Sequence, residues 1–205
     1  AQELINKKNS IQFLKTHSFL FNFNKNYPFT NFDNTLGVIY IIRDPRNVVT
    51  SFSKFKSLTV DKTADFMING TGDGLSWTNN WSVNYQSWKI FKEYQRYLLI
   101  KYEDLINKPD KTFLTILEFI HELNKTNFEL DRKKFENVIK TTSFNYMQNL
   151  EKEKGFSESS IDSTGKKIPF FNLGPKNDWR NKLDTEVVEK LEKAFKSEME
   201  ELGYI

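Results

Sequence analysis

Residues 36–48, with the sequence LGVIYIIRDPRNV, contain the pattern that decides the fold. Residues 36–42 form a short apolar run rich in β-branched side chains, which is typical of a strand buried on both faces of a sheet. The run is followed at once by Asp44, a favourable N-cap, and Pro45, a favourable first residue of a helix. Apolar side chains then recur at helical spacing at Val48, Val49, Phe52 and Phe55. The stretch therefore predicts a buried strand that leads directly into a capped helix.

Further short strands and helices alternate along the rest of the chain. Residues 11–15 are compatible with a strand, and residues 97–102 predict another. Helices are predicted from residue 77, from Pro109, over residues 131–141 and over residues 184–202. Residues 57–75 are interpreted as a loop or short helix, and residues 151–178 as a long loop. This alternation predicts a single α/β domain over residues 1–205 with a parallel sheet, in which ligands bind at the carboxyl ends of the strands.

The composition excludes several classes of function. The chain has 205 residues, of which 38% are hydrophobic and 28% charged, as in a globular domain. It contains no cysteine, so thiol catalysis and disulfides are excluded, and only two histidines, which argues against a multi-histidine metal site. The longest apolar run is far shorter than the ~20 residues that span a bilayer. The net charge of +3 is dispersed and argues against a nucleic-acid surface, although it suits a small anionic ligand.

Arg43 is the first candidate binding residue, because it follows the predicted strand and precedes the predicted helix N-terminus. A guanidinium at this position can hold a phosphate through two parallel hydrogen bonds, and the helix N-terminus favours an anion. Ser51 lies two helical turns further on and can donate its hydroxyl to the same anion. The alternative is that Arg43 pairs with Asp44 or Glu103 and that Ser51 is only a small helix residue.

His17 is a candidate general base, because it follows a predicted strand and stands close to Lys15. The alternative is a structural role, which is the more common one for a lone histidine. Tyr102 and Phe144 can stack on a nucleotide base, or they can be packing aromatics. The polar segment of residues 174–180 can fold over a ligand, or it can cap the last helix.

In combination, these segments resemble the sulfotransferase superfamily over residues 13–205, most closely the cytosolic type that uses 3′-phosphoadenosine-5′-phosphosulfate (PAPS). Residues 13–17, FLKTH, are similar to the family's KTH segment, whose histidine is the catalytic base. Residues 38–48 with Ser51 resemble the strand and helix whose arginine and serine hold the 3′-phosphate.

The later segments of the chain continue the resemblance in the same order. Residues 76–88 are similar to the family's SW…W helix, and residues 102–109 to the YEDL…P segment whose tyrosine, here Tyr102, lies near the adenine. Residues 142–147 resemble the TSFxxM segment that wraps the adenine, which implies roles for Thr142, Phe144 and Met147. Residues 169–180 resemble the PFxRKGxxGDWK loop.

That last loop departs from the family pattern at two positions. The family offers an arginine and a lysine to the 3′-phosphate, and this chain has Asn172 and Leu173 there. The backbone N–H of Gly174 is the contact that remains. Because a hydrogen bond to a charged group contributes about 1.5–3 kcal/mol, the departure predicts weaker nucleotide binding.

The resemblance implies a P-loop NTPase-like three-layer fold, with a central parallel sheet flanked by helices. It implies transfer of a sulfuryl group from PAPS to a hydroxyl or amine of a small-molecule acceptor, with 3′-phosphoadenosine-5′-phosphate (PAP) as product and no metal. The implied catalytic residues are His17 and Lys15. The implied nucleotide-binding residues are Arg43, Ser51, Tyr102, Thr142, Phe144, Met147 and Gly174. The implied location is cytoplasmic, with no membrane span and no nucleic-acid partner.

One family segment has no counterpart in this sequence, the N-terminal PKSGTTW-type loop that holds the 5′-phosphosulfate. We therefore expect the domain to be N-terminally incomplete, without its first strand and this loop. The alternative functions are a fragment or pseudoenzyme that only binds the nucleotide and, third, a basic nucleic-acid-binding module. In the family's KxxxTVxxxE dimer segment, Arg180 and Glu189 keep the end positions but residues 184–185 differ, so the sequence does not decide whether a homodimer forms.

Overall fold

The computed structural model describes residues 10–24, 27–70, 78–161 and 164–205. Its strands are β1 (Asn22–Asn24), β2 (Tyr27–Pro28), β3 (Val38–Ile42), β4 (Tyr97–Lys101), β5 (Ser160–Ile161) and β6 (Lys167–Ile168). Its α-helices are α1 (Pro45–Lys56), α2 (Val60–Asn69), α3 (Trp81–Trp88), α4 (Tyr102–Asn107), α5 (Pro109–Asn124), α6 (Arg132–Thr142), α7 (Phe144–Lys154), α8 (Thr185–Ala194) and α9 (Lys196–Glu201). Short 3₁₀ helices cover Lys89–Tyr94, Gly174–Lys176 and Trp179–Asn181.

The parallel pair β3–β4 is the part of the sheet that positions the site. Val38 lies opposite Tyr97 and Ile42 opposite Lys101, without a register shift. Both strands, the helix α1 after β3 and the helix α5 from Pro109 agree with the sequence prediction, whereas α4, which directly follows β4, was not predicted. The two other ladders, β1–β2 and β5–β6, are antiparallel and very short. Because parallel strands run in the same direction, the residues that follow β3 and β4 emerge at the same edge of the pair.

One face of the parallel pair is packed, and the other is partly open. Tyr40 and Ile42 pack against Tyr85 of α3 and against Leu202. Ile41 is 57% exposed, so the prediction that this strand is buried on both faces is wrong. Successive side chains of a strand point to opposite faces, and Ile41 therefore lies on the face away from Tyr85.

A helical layer holds α1 in place. Its centre consists of fully or almost fully buried side chains from α1, α2, α8, α9 and the residue between α8 and α9. These side chains are Val49, Ala64, Met67, Val187, Leu191, Phe195 and Met199. Because α1 contributes to this core on one side, the polar residues on its other sides are held at fixed positions.

The N-terminal part of the described chain differs from the sequence prediction. Residues 10–21 contain no strand, although residues 11–15 were expected to form one. The apolar side chains of Phe13 and Leu14 are each 72% exposed. A strand needs a neighbouring strand to bond with, and no described strand forms a ladder with residues 11–15.

Helix boundaries also differ from the prediction at three places. The helix expected from residue 77 is observed from Trp81, where the Asn80 side chain accepts a hydrogen bond from the N–H of Val83; Trp77 lies outside the described residues. The last predicted helix is interrupted at Phe195, whose φ of −116° is not helical. The loop predicted from residue 151 begins only after Lys154, because α7 continues to that residue.

Candidate functional site

Arg43 lies at the edge where β3 and β4 end. The Cζ atom of Arg43 lies 4.3 Å from the centroid of the Tyr102 ring, so the guanidinium stacks on the tyrosine. The Nε atom of Arg43 is buried and has no hydrogen-bond partner in the described structure. A buried guanidinium N–H without an acceptor is costly, and a bound anion would satisfy it. This edge therefore presents an arginine whose Nε–H makes no hydrogen bond to the described residues.

The acidic residues near Arg43 bind other groups. The Asp44 carboxylate accepts hydrogen bonds from the backbone N–H and the guanidinium of Arg46. The Glu103 carboxylate accepts from the backbone N–H of Asp44 and from the hydroxyl of Tyr204. The alternative pairing of Arg43 with Asp44 or Glu103 is therefore not found in the structure.

Arg46 is a structural residue at the start of α1, and it is only 5% exposed. Besides Asp44, its guanidinium donates to the Glu192 carboxylate at 2.5 Å and to the Tyr204 carbonyl at 2.9 Å, and it stacks on the Trp179 ring. Burial lowers the pKa of Arg46, but the bonds to the two carboxylates outweigh burial and raise it. The Asp44 carboxylate already occupies the helix N-terminus that the sequence analysis left open for an anion. The anion hypothesis therefore depends on the side chains of Arg43 and Ser51.

Ser51 lies on α1 with an exposed side chain, and the buried Thr50 precedes it. Thr50 and its neighbours attach a distant segment to this helix. The Thr50 hydroxyl donates to Asn177 Oδ1 at 2.8 Å, and Asn177 Nδ2 donates to the Asn47 carbonyl at 2.8 Å. The backbone N–H of Trp179 donates to Asn47 Oδ1 at 2.9 Å. The sequence analysis missed these residues, because nothing in a polar loop or on a helix face indicates which amides will meet.

Gly174 joins this segment to the aromatic part of the site. Its φ is +49°, and a Cβ at this position would overlap the ring of Phe144, so the glycine backbone lies directly against that ring. Its carbonyl accepts a hydrogen bond from the N–H of Asn177 at 3.1 Å. Phe144 is the first residue of α7, with Ser143 as the N-cap, and its ring meets Phe171 edge-on.

A chain of contacts therefore connects most of the expected nucleotide-binding residues. Tyr102 stacks on Arg43, Arg43 leads into the helix that carries Ser51, and that helix is joined through Asn177 to Gly174 and Phe144. The two remaining residues lie beside this group. Thr142 is exposed at the end of α6, where its hydroxyl donates to the Val138 carbonyl, and Met147 is half-buried one turn beyond Phe144 on α7.

The two expected catalytic residues make their contacts elsewhere. Lys15 and His17 are both exposed. The Lys15 ammonium lies 2.7 Å from the Glu158 carboxylate, and the His17 carbonyl accepts from Asn84 Nδ2 of α3 at 3.1 Å. The bond from Lys15 is the main cause that lowers the pKa of Glu158, with a further contribution from His17. Within the described residues, none of these polar contacts joins Lys15 or His17 to the group around Arg43.

Glu151 is a second group that the sequence analysis missed, and it holds the loop after α7. Its side chain is 7% exposed, and its carboxylate accepts from the Ser159 hydroxyl and from the N–H groups of Phe170 and Phe171. Burial raises the pKa of Glu151, but these hydrogen bonds outweigh burial and lower it below its usual value. A carboxylate bound in this way fixes Phe171 beside Phe144.

The described residues contain neither a membrane-spanning helix nor a cluster of metal ligands. No helix among them has the length and apolar character needed to cross a bilayer. Likewise, no three of their His, Asp or Glu side chains are grouped so that they could hold a metal ion.

Known structures show which fold this is. A structure of retinol dehydratase in complex with androsterone and the inactive cofactor PAP matches with a TM-score of 0.67 and 18% identity, over 96% of this chain and 56% of the other. A structure of mouse sulfotransferase SULT7A1 complexed with PAP matches with a TM-score of 0.56 and 18% identity, over 80% of this chain and 58% of the other. The chain therefore has the α/β fold of these proteins.

Sequence comparison leads to the family. Human sulfotransferase 2A1 is 26% identical over 180 residues, which cover 86% of this chain. The match covers 61% of the human protein, so this chain spans about three fifths of the length of that relative. The family model described as the sulfotransferase domain matches residues 1–203. The chain therefore belongs to the sulfotransferase domain family.

Proposed function

We propose that the protein is a PAPS-dependent sulfotransferase, which transfers a sulfuryl group to a hydroxyl or amine of a small-molecule acceptor. The single observation that carries the proposal is Arg43 at the edge where two parallel strands end, because its buried Nε has no acceptor in the part of the chain that the structure describes. Ligands bind at this edge of parallel sheets, and a guanidinium suits a phosphate. The family and the PAP-bound relatives in the fold comparison support the same ligand.

The residues around Arg43 fit the nucleotide. We propose that Arg43, Ser51 and the N–H of Gly174 bind the 3′-phosphate, and that Tyr102 and Phe144 bind the adenine, with Thr142 and Met147 beside them. The Nε–H of Arg43, which has no acceptor among the described residues, supports the assignment of the 3′-phosphate. The rings of Tyr102 and Phe144, at the two ends of the contact chain, support the assignment of the adenine. When bound, PAPS supplies the activated sulfuryl group, and no metal is needed for this step.

The proposed catalytic role of His17 is to take the proton from the acceptor, with Lys15 beside it to stabilise negative charge. Both side chains are exposed, so an acceptor can reach them. Lys15 must leave Glu158 to take this role, and an exposed ion pair such as this one contributes little to stability. The Glu158 carboxylate holds the Lys15 ammonium until substrate replaces it.

The acceptor class rests on the relatives. One matching structure has androsterone in its complex, and another relative is named 3-beta-hydroxysteroid sulfotransferase. We propose a small organic molecule with a hydroxyl or amine, and a cytoplasmic location as in the cytosolic type that the sequence resembles.

A nucleotide-binding protein without turnover is the second candidate. It is favoured by the contacts of Lys15 and His17, which lie with Glu158 and Asn84 rather than with Arg43. It is also favoured by Asn172 and Leu173, which replace the two cations of the family loop.

Calorimetric titration with PAP tests both candidates. The substitution Arg43→Gln removes at least one charge-assisted hydrogen bond, which contributes about 1.5–3 kcal/mol, so PAP affinity should fall by at least about tenfold. The control is Arg132→Gln, because Arg132 is an exposed arginine at the start of α6, and PAP affinity should not change. If the unmodified protein shows no binding at millimolar PAP, both candidates are wrong.

Turnover separates the two candidates. With labelled PAPS and a panel of hydroxylated and amine acceptors, the first candidate predicts sulfated product that disappears in His17→Ala while PAP affinity is retained. PAP binding without product from any acceptor favours the second candidate. Unchanged turnover in His17→Ala would remove His17 as the base.

A further inference from the structure

Asn177 has an unusual position for an asparagine in a polar loop, because it is only 5% exposed. Each polar atom of its side chain has a partner. Oδ1 accepts from the Thr50 hydroxyl, and Nδ2 donates to the Asn47 carbonyl, both at 2.8 Å. Both partners lie on α1, so the amide joins the loop to that helix with one acceptor and one donor.

The backbone N–H of Asn177 makes a hydrogen bond on the other side, toward Gly174. The Asn177 N–H donates to the Gly174 carbonyl at 3.1 Å and closes the short 3₁₀ turn Gly174–Lys176. Asn177 therefore connects Gly174 to a residue of α1 that is the immediate neighbour of Ser51. These are two of the groups proposed to bind the 3′-phosphate.

Gly174 is held from its other side as well. Gln148 of α7 donates to the carbonyl of Phe171 at 2.7 Å, two residues before the loop reaches Leu173. The bonds at Asn47 and Trp179 fix the segment that follows Asn177 and do not involve Gly174. Asn177 is thus the described side chain that sets the distance between Gly174 and α1.

We infer that Asn177 is a positioning residue that holds the Gly174 N–H and the Ser51 hydroxyl in register for the 3′-phosphate of the nucleotide. This inference rests on the proposed function. Asn172 and Leu173 offer no cation at this loop, so the neutral Gly174 N–H contributes a larger share of the binding. Hydrogen bonds weaken steeply when distance or angle departs from the optimum, so the share of Gly174 depends on the connection through Asn177.

A purely structural role for Asn177 makes a different prediction. If the amide only stabilises the fold, its loss lowers stability and weakens all nucleotides by the same factor. If it positions Gly174 and Ser51, its loss weakens only nucleotides that carry a 3′-phosphate. Adenosine 5′-monophosphate (AMP) lacks that group, and the ratio of PAP to AMP affinity therefore separates the two roles.

The experiment measures PAP and AMP affinities by calorimetry for the unmodified protein and for Asn177→Ala. We expect PAP affinity to fall by about tenfold, as for one lost hydrogen bond to a charged group, while AMP affinity stays unchanged. Asn181→Ala is the matched control, because Asn181 lies in the same segment and its exposed side chain bonds only to Asp178 within the loop. Neither affinity should change in the control.

A second variant keeps the test decisive if Asn177→Ala does not fold. Thr50→Val has the same shape as the original residue but lacks the hydroxyl that donates to Asn177, and it should lower the PAP-to-AMP ratio in the same direction. A ratio that is unchanged in the folded variant overturns the inference and leaves the proposed function intact. An unmodified protein that binds neither PAP nor AMP overturns both.

Discussion

The replacement Arg46→Met should destabilise the protein by about 3–5 kcal/mol, the usual cost of removing one partner from a buried ion pair. Arg46 is 5% exposed, and its guanidinium donates to Asp44, to Glu192 and to the Tyr204 carbonyl. Methionine fills a similar volume and can still pack on the Trp179 ring. The loss is therefore electrostatic and not a matter of cavity formation.

The burial of the two carboxylates indicates which of them dominates the loss. The Asp44 side chain is 8% exposed and the Glu192 side chain 32% exposed, so water can replace the guanidinium at Glu192 much more easily than at Asp44. Adding Asp44→Asn to the Arg46→Met protein removes the unpaired buried charge. The double variant should therefore recover about 1–3 kcal/mol, while asparagine still serves as an N-cap for α1.

Urea denaturation followed by tryptophan fluorescence and by circular dichroism measures these changes. The control is Lys190→Met, which breaks the exposed pair between Lys190 and Asp65 and should leave the midpoint unchanged. A loss below about 1 kcal/mol for Arg46→Met, in the range of an exposed pair, would refute the argument from burial. Failure of the double variant to recover stability would show that Asp44 is not the source of the loss.

Two further predictions concern the loop and its glycine. The pKa of Glu151 is lowered in the folded protein, so the contribution of this carboxylate to stability is present above its usual pKa of about 4.5 and is lost as the pH falls below that value. Glu151→Gln should therefore flatten the acid side of a plot of melting temperature against pH. Parallel curves for the variant and the unmodified protein would contradict this. Gly174→Ala and Gly165→Ala each place alanine at a positive φ, which costs about 1 kcal/mol, but only the first brings a methyl group into the Phe144 ring. Gly174→Ala should therefore also weaken PAP binding in calorimetry, and equal effects of the two variants on binding would show that the contact with Phe144 is unimportant.

The part of the fold that local chemistry dictates could be predicted well. A β-branched apolar run followed by Asp44 and Pro45 has few structural solutions, and β3 and α1 are observed where the sequence predicts them. The strand β4 and the helix α5, which begins at Pro109, are also observed where the local sequence predicts them. In each case the signal lies within a few residues of the feature that it predicts.

The features that could not be predicted depend on distant partners. The sequence around residues 11–15 does not indicate that these residues lack a partner among the described strands. The sequence around Ile41 does not indicate that its face of the sheet stays open. The hydrogen bonds of Asn177 and Glu151 join segments separated by up to 130 residues. The placement of Lys15 beside Glu158 joins segments separated by 143 residues. A local sequence pattern carries no information about contacts between such distant segments, so candidate site residues could be named but their contacts could not.

The long separations around α1 also set an order for folding during synthesis. The partners of Arg46, which are Glu192 and Tyr204, follow it in the sequence by 146 and 158 residues. Asn177, the partner of Asn47, follows that residue by 130 positions. While the ribosome is still adding these residues, the start of α1 exposes Asp44 and Arg46 without their later partners. The closure of such long loops is slow, and incomplete chains with exposed surfaces tend to aggregate. The start of α1 is therefore completed only after the segment that carries Glu192 and Tyr204 has been synthesised.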